Sequence, residues 1–126
     1  MGIIDSLGNT LMKQRLHQIE KSIYNPHEVQ QEVLAKLVKR AARTEYGKQY
    51  HFGEIKNYRQ FKEQVPVVAY EELLPYIERL LQGEQNILWP GIIKWFAKSS
   101  GTTGAKSKLI PVSEDGLYNC HYQGGR

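Results

Sequence analysis

Apolar residues recur at intervals of three and four over most of the first 81 residues, and that spacing restricts this part of the chain to helices. One series spans residues 3–23 and a second spans residues 29–41. Asn25-Pro26 separates them, since Asn suits the position before a helix and Pro suits its first turn. The members are Ile4, Leu7, Leu11, Met12, Leu16, Ile19 and Ile23, then Val29, Val33, Leu34, Leu37, Val38 and Ala41. We predict two helices, the second reaching about Thr44 with Gly47 as its stop.

Two more helices are predicted before residue 84. The spacing from Tyr58 to Val65 indicates a short helix that ends at Pro66, which cannot continue a helical hydrogen-bond ladder. A second helix begins near Tyr70 and is closed by Gly83. Its apolar positions are Leu73, Leu74, Ile77, Leu80 and Leu81.

The pattern changes after Pro90-Gly91, a turn signal. Residues 92–98 are β-branched and aromatic and roughly alternate with polar ones, which predicts a strand. Residues 108–112 predict a second strand, with Pro111 at an edge or near a strand end. Ser113 and the acids after it predict a helix start. The fold class is therefore α+β, mainly helical with one β-hairpin.

Six small residues join the two predicted strands: Ser99, Ser100, Gly101, Thr102, Thr103 and Gly104. Glycines allow a sharp bend and close approach of a ligand, and successive N–H groups in such a bend can face an anion. The hydroxyls can donate to phosphate oxygens, and Lys106 and Lys108 add positive charge. Ser, Thr and Gly are equally typical of a flexible hairpin tip. Composition alone leaves both interpretations open.

A Walker P-loop is disfavoured, although Lys106-Ser107 resembles its last two positions. Ala105 stands where a glycine should precede the lysine, and Ser100 stands where the first glycine should be. A P-loop also opens a helix, whereas an apolar segment with a proline follows here.

Charge and composition exclude several classes of protein. The net charge is +4, and the densest basic run is Lys36, Lys39, Arg40 and Arg43. We favour a solvated helix face over a nucleic-acid patch, because no interleaved aromatic residues accompany the run. No apolar run approaches the ~18–20 residues of a membrane span. The four histidines have no ligand spacing, so no metal site is predicted. The single Cys120 and the absence of a signal sequence favour a cytoplasmic setting.

The loop also carries a family resemblance. The segment Phe96-Ala97-Lys98-Ser99-Ser100-Gly101-Thr102-Thr103-Gly104 resembles the phosphate loop of adenylate-forming enzymes. With Lys108-Leu109-Ile110-Pro111 after it, it is most similar to the auxin-responsive promoter family of acyl acid–amido synthetases, nearest its bacterial members. Tyr58-x-x-Phe61, Val65-Pro66-Val67 and Tyr70-Glu71-Glu72 with Pro75-Tyr76-Ile77 are similar to the segment before that loop.

The resemblance implies an ATP- and Mg²⁺-dependent ligase. Such an enzyme converts a small carboxylic acid to an acyl-adenylate and passes the acyl group to an amine, often of an amino acid. Ser99, Ser100, Gly101, Thr102, Thr103, Gly104 and Lys108 would bind the nucleotide phosphates. No residue is assigned a catalytic role.

The family's fold is several times longer, so residues 1–126 are expected to be a partial N-terminal, ATP-binding domain of an acetyl-CoA synthetase-like α/β fold. We expect this piece alone to be inactive and able to self-associate through its hairpin edge. The alternative is a small helical protein-interaction module that binds no nucleotide. A coding sequence that continues far past Arg126 would favour the enzyme, and a natural stop codon there would favour the module.

Overall fold

The computed structural model describes residues 3–100 and 106–124. Its elements, in chain order, are α1 (Ile3–Tyr24), α2 (Pro26–Ala41), α3 (Glu45–Gln49), a 3₁₀ turn (Phe52–Glu54), α4 (Tyr58–Gln64), α5 (Tyr70–Leu81), β1 (Trp95–Lys98), β2 (Leu109–Val112) and α6 (Glu114–Gly116), which continues as a π-helical turn (Leu117–Tyr122). The predicted architecture is confirmed, since the described part is mostly helical with one antiparallel hairpin.

The first two helices are separated by Asn25, the residue before α2, and Pro26 lies in the first turn of α2. The Lys21 ammonium lies 2.7 Å from a Glu32 carboxylate oxygen and ties α1 to α2. The described apolar side chains of the α1 stripe remain exposed: Met12, Leu16, Ile19 and Ile23. Of the α2 stripe, Val38 and Ala41 at the C-terminal end reach the core.

The second helix ends at Ala41, earlier than predicted, because Thr44 begins a separate helix. The Thr44 side chain is buried, donates to the Ala41 carbonyl at 2.7 Å and accepts the Gly47 N–H at 3.0 Å. Gly47 lies inside α3, so its prediction as a helix stop is wrong. A Cβ at this position would lie 2.0 Å from the Ala41 carbonyl oxygen. Glycine is required because the backbones of α2 and α3 meet there.

The core lies between α5 and the segment that leads into the hairpin. Leu80, Ile87 and Ile93 are buried together. The partly buried residues packed against them are Tyr76, Leu88, Trp89 and Phe96. Ile93 therefore belongs to the core, and the chain pairs as a strand only from Trp95 onward rather than from Ile92 as predicted. The Trp89 ring packs against this core.

An ionic cluster holds the start of α3 against the end of α5. Arg79 forms two 2.8 Å bonds to the Glu45 carboxylate and a 2.7 Å bond to Glu84. Hydrogen bonding to this guanidinium lowers the pKa of the Glu45 and Glu84 carboxyls and raises the pKa of Arg79. The Glu45 backbone N–H also donates to the Asn86 carbonyl at 2.9 Å. Gly83, with φ of +92°, makes the turn after α5 as predicted.

The hairpin pairs Trp95 with Val112 and Lys98 with Leu109. Pro111 lies opposite Phe96. The Ser99 N–H bonds the Lys108 carbonyl, and bonded pairs recur at every second residue of an antiparallel ladder. A backbone N–H at position 111 would therefore point away from β1. Proline therefore interrupts no bond between the strands.

Candidate functional site

The mouth of the hairpin loop is closed by two hydrogen bonds between the same two residues. The Ser99 N–H donates to the Lys108 carbonyl at 2.9 Å, and the Lys108 N–H donates to the Ser99 Oγ at 3.0 Å. A regular ladder would use the Ser99 carbonyl as the second acceptor. Here the Ser99 Oγ replaces that carbonyl as the acceptor, so Ser99 and Lys108 hold the two ends of the loop together. The Ser99 O–H remains able to donate.

The structure describes three of the seven predicted phosphate-binding residues. Ser99 is partly buried at the mouth, while Ser100 and Lys108 are exposed beside it. Gly101, Thr102, Thr103 and Gly104 lie outside the described residues. The three residues are thus brought together at one end of the hairpin, where the predicted loop begins and ends.

Tyr70, at the first turn of α5, anchors the outer edge of β2. Its hydroxyl accepts the Leu109 N–H at 3.0 Å and donates to the Leu109 carbonyl at 3.1 Å. These two backbone groups point away from β1, because the neighbouring Lys108 makes the bonds to Ser99. One hydroxyl therefore satisfies both free groups of the strand's first residue. The sequence marked Tyr70 as a helix start and as part of the family resemblance, and no local pattern indicated a partner 39 residues away.

The Lys108 side chain rests on the same turn of α5. Its Nζ lies 3.7 Å from a Glu71 carboxylate oxygen and 5.0 Å from the centre of the Tyr70 ring. Both ion-pair partners are substantially exposed, at 46% and 71% of their side-chain surface. Exposed ion pairs and cation–π contacts are weak individually, so they orient the ammonium without fixing it permanently.

The two adjacent acids of α5 have separate roles, because neighbouring residues of a helix point to different sides. The Glu72 carboxylate accepts the Ala69 N–H at 2.7 Å and caps the helix start. Glu71 faces the loop lysine instead. They do not form a paired acid and base.

The opposite end of the hairpin is held by Asp115. Its Oδ2 accepts the Trp89 indole N–H at 3.0 Å and lies 2.8 Å from an Arg40 nitrogen of α2. Ser113 caps the helix that follows β2, accepting the Gly116 N–H at 3.0 Å, as predicted. The basic run of α2 and the turn after it is exposed, with Arg40 in this ion pair.

The order of elements after the loop argues against a Walker P-loop. Lys106-Ser107 is followed by Lys108 and then by β2, whereas the Lys-Ser pair of a P-loop lies at the start of a helix. Across the described ranges, 3–100 and 106–124, no group of three or more acidic, His or Cys side chains could hold a metal ion. Nor does any helix in those ranges have the length and apolarity to cross a membrane.

Comparison with solved structures identifies proteins with the same arrangement. The chain superposes on the GH3.15 acyl acid amido synthetase with a TM-score of 0.75 and 33% identity, covering 86% of this chain and 20% of that one. AtGH3.15 acyl acid amido synthetase in complex with 2,4-DB gives a TM-score of 0.68 and 34% identity, covering 77% of this chain and 17% of that one.

Comparison of sequences gives the same result. The chain is 39% identical over 100 residues to indole-3-acetic acid-amido synthetase GH3.2 of Arabidopsis thaliana, which covers 79% of this chain and 18% of the relative. It is 36% identical over 106 residues to GH3.5 of the same plant, covering 83% and 17%. The chain thus spans about a fifth of the length of these relatives. Kinship with bacterial members stays a prediction.

The model of the GH3 family N-terminal domain matches residues 15–125, which include the whole hairpin and its loop. The family predicted from the sequence is confirmed: the chain belongs to the GH3 family.

Proposed function

We propose that this chain contributes the triphosphate-binding part of an ATP-dependent acyl acid–amido synthetase. One observation carries the proposal: a run of six small residues is clamped at its mouth by the paired bonds of Ser99 and Lys108, beside a lysine ammonium. The two bonds hold Ser99 and Lys108, the described ends of the loop, next to each other. Membership of the GH3 family favours the enzyme over a small interaction module.

The reaction begins with a difficulty of charge. A carboxylate must attack the α-phosphorus of a triphosphate, so two anions approach each other and pyrophosphate leaves with additional charge. N–H and O–H dipoles fixed in advance, and cations, offset this repulsion. The acyl-adenylate then gives its acyl group to an amine.

Each loop residue has a role that its chemistry permits. Gly101 and Gly104 would allow the bend and the close approach of the backbone. Ser100, Thr102 and Thr103 would donate hydroxyls to phosphate oxygens, with Ser99 adding its O–H from the mouth. Lys108 would supply positive charge. These hydroxyls and the ammonium are suitable donors for an anionic ligand.

Magnesium would accompany the nucleotide phosphates. Mg²⁺ prefers one or two carboxylates plus substrate phosphates. Residues 3–100 and 106–124 provide no cluster of metal-binding side chains.

The substrates are proposed by class alone. The relatives' names specify indole-3-acetic acid, and one solved structure carries 2,4-DB. We infer a small carboxylic acid and an amino acid acceptor for the full-length protein, in a cytoplasmic setting. Because the chain spans about a fifth of its relatives, we expect residues 1–126 alone to be inactive. We expect this piece to self-associate through the hairpin edge, because an unpaired strand edge recruits other strands.

The experiment replaces Thr102 and Thr103 together with Ala in the full-length protein. ATP–pyrophosphate exchange, driven by a carboxylic acid substrate, should fall by about 10²-fold or more, as when a donor to a charged transition state is removed. Ser107→Ala is the matched control, because it removes an exposed hydroxyl just beyond the loop. Exchange that survives the double substitution at the level of this control would remove the loop from the reaction.

A further inference from the structure

We propose that Glu71 is a positioning residue that holds the Lys108 ammonium beside the mouth of the loop and releases it when nucleotide phosphates arrive. This inference rests on the proposed function of the loop. Glu71 would touch neither nucleotide nor acid. It would act through the lysine alone.

The contacts around Lys108 separate a fixed part from a movable part. Its backbone is held on one side by Ser99, and the next residue, Leu109, is held by the Tyr70 hydroxyl. Within residues 3–100 and 106–124, the ammonium at the end of its flexible stem lies 3.7 Å from a Glu71 carboxylate oxygen and 5.0 Å from the centre of the Tyr70 ring. The side chain can therefore turn while the strand start stays in place.

The competition between Glu71 and a nucleotide follows from charge. A carboxylate offers the ammonium one negative charge, partly screened because both side chains are exposed. A triphosphate offers several charges and more acceptor oxygens. Lys108 would thus exchange partners on binding, and breaking its contact with Glu71 would lower the observed affinity for ATP.

Removing the negative charge of Glu71 should increase the affinity of the protein for ATP. Glu71→Gln keeps the shape of the side chain and removes the competing charge. The dissociation constant for ATP, measured by calorimetric titration of the full-length protein, should fall about two- to fivefold, the range that an exposed ion pair supports. A variant that merely damaged the fold would bind ATP more weakly, so tighter binding would show that Glu71 competes with the nucleotide for the lysine.

Glu72→Gln is the matched control. It removes the same charge from the next residue of α5, but that carboxylate caps the Ala69 N–H and does not hold the lysine. We expect a lower melting temperature without nucleotide and no tighter ATP binding. Equal tightening by both variants would mean that general repulsion is responsible, and would overturn the proposal.

Lys108→Met separates failure of this inference from failure of the proposed function. The single variant Lys108→Met should bind ATP more weakly than wild type. Adding Glu71→Gln to Lys108→Met should not change the dissociation constant for ATP any further. If Lys108→Met leaves ATP binding unchanged, the assignment of Lys108 to the phosphates is wrong. If it weakens binding but Glu71→Gln does not strengthen it, or strengthens it equally without the lysine, only the positioning role is wrong.

Discussion

Tyr70→Phe removes a single oxygen from the candidate site and leaves the aromatic ring beside Lys108. That oxygen makes both hydrogen bonds to the backbone of Leu109, at 3.0 and 3.1 Å. The ring contact with the lysine, 5.0 Å from ammonium to ring centre, needs no hydroxyl. The substitution therefore tests the anchor of β2 separately from the lysine.

The magnitude follows from the two bonds. A neutral hydrogen bond contributes about 0.5–1.5 kcal/mol net, and water can replace part of it at this partly buried edge. For the Leu109 N–H, that range corresponds to exchange with solvent that is faster by roughly two- to tenfold. The loss at the carbonyl loosens the same residue further. We expect a local change rather than unfolding of the domain.

Hydrogen–deuterium exchange of the full-length protein, followed by mass spectrometry over residues 106–112, measures this change. Tyr58→Phe is the control, since the Tyr58 side chain is 62% exposed and makes no hydrogen bond within the described ranges. It should leave exchange at β2 unaltered. Unchanged exchange at Leu109 in Tyr70→Phe would refute the idea that this hydroxyl holds the strand.

Two further predictions concern the scaffold of the site. Gly47→Ala should lower the free energy of unfolding, measured by urea titration, by about 1–3 kcal/mol, because the added methyl group would collide with a carbonyl oxygen of α2. Gly53→Ala is the control, since nothing lies within 4 Å of the added carbon, and it should be neutral or mildly stabilising. Equal effects of the two substitutions would contradict the collision at Gly47. Arg79→Met should lower the melting temperature most near neutral pH. The pKa of the Glu45 carboxyl is lower in the folded protein than its ordinary value of 4.5, so the ion pair with Arg79 stabilises the fold fully above pH 4.5. This stabilisation is lost as the pH falls through the lowered pKa of Glu45. The melting difference between wild type and variant should narrow from about pH 7 to about pH 3, and a constant difference would exclude the ion cluster as its source.

The sequence by itself determined the features that depend on neighbours along the chain. Apolar spacing located α1, α2, α4 and α5, because a helix repeats its environment every three to four residues. Pro111, Ser113 and Gly83 lie where their backbone preferences predicted. The string of small residues in the loop was specific enough to identify the family, which the comparisons confirmed.

Only the tertiary structure decided which distant groups meet. Tyr70 and Leu109 are 39 residues apart, and the position of Asp115 between Trp89 and Arg40 has no local signature. Gly47 was misread as a helix stop because the collision it avoids comes from the carbonyl of a preceding helix. Periodicity records which face of an element is apolar, but a hydrogen bond or ion pair between elements depends on how they pack.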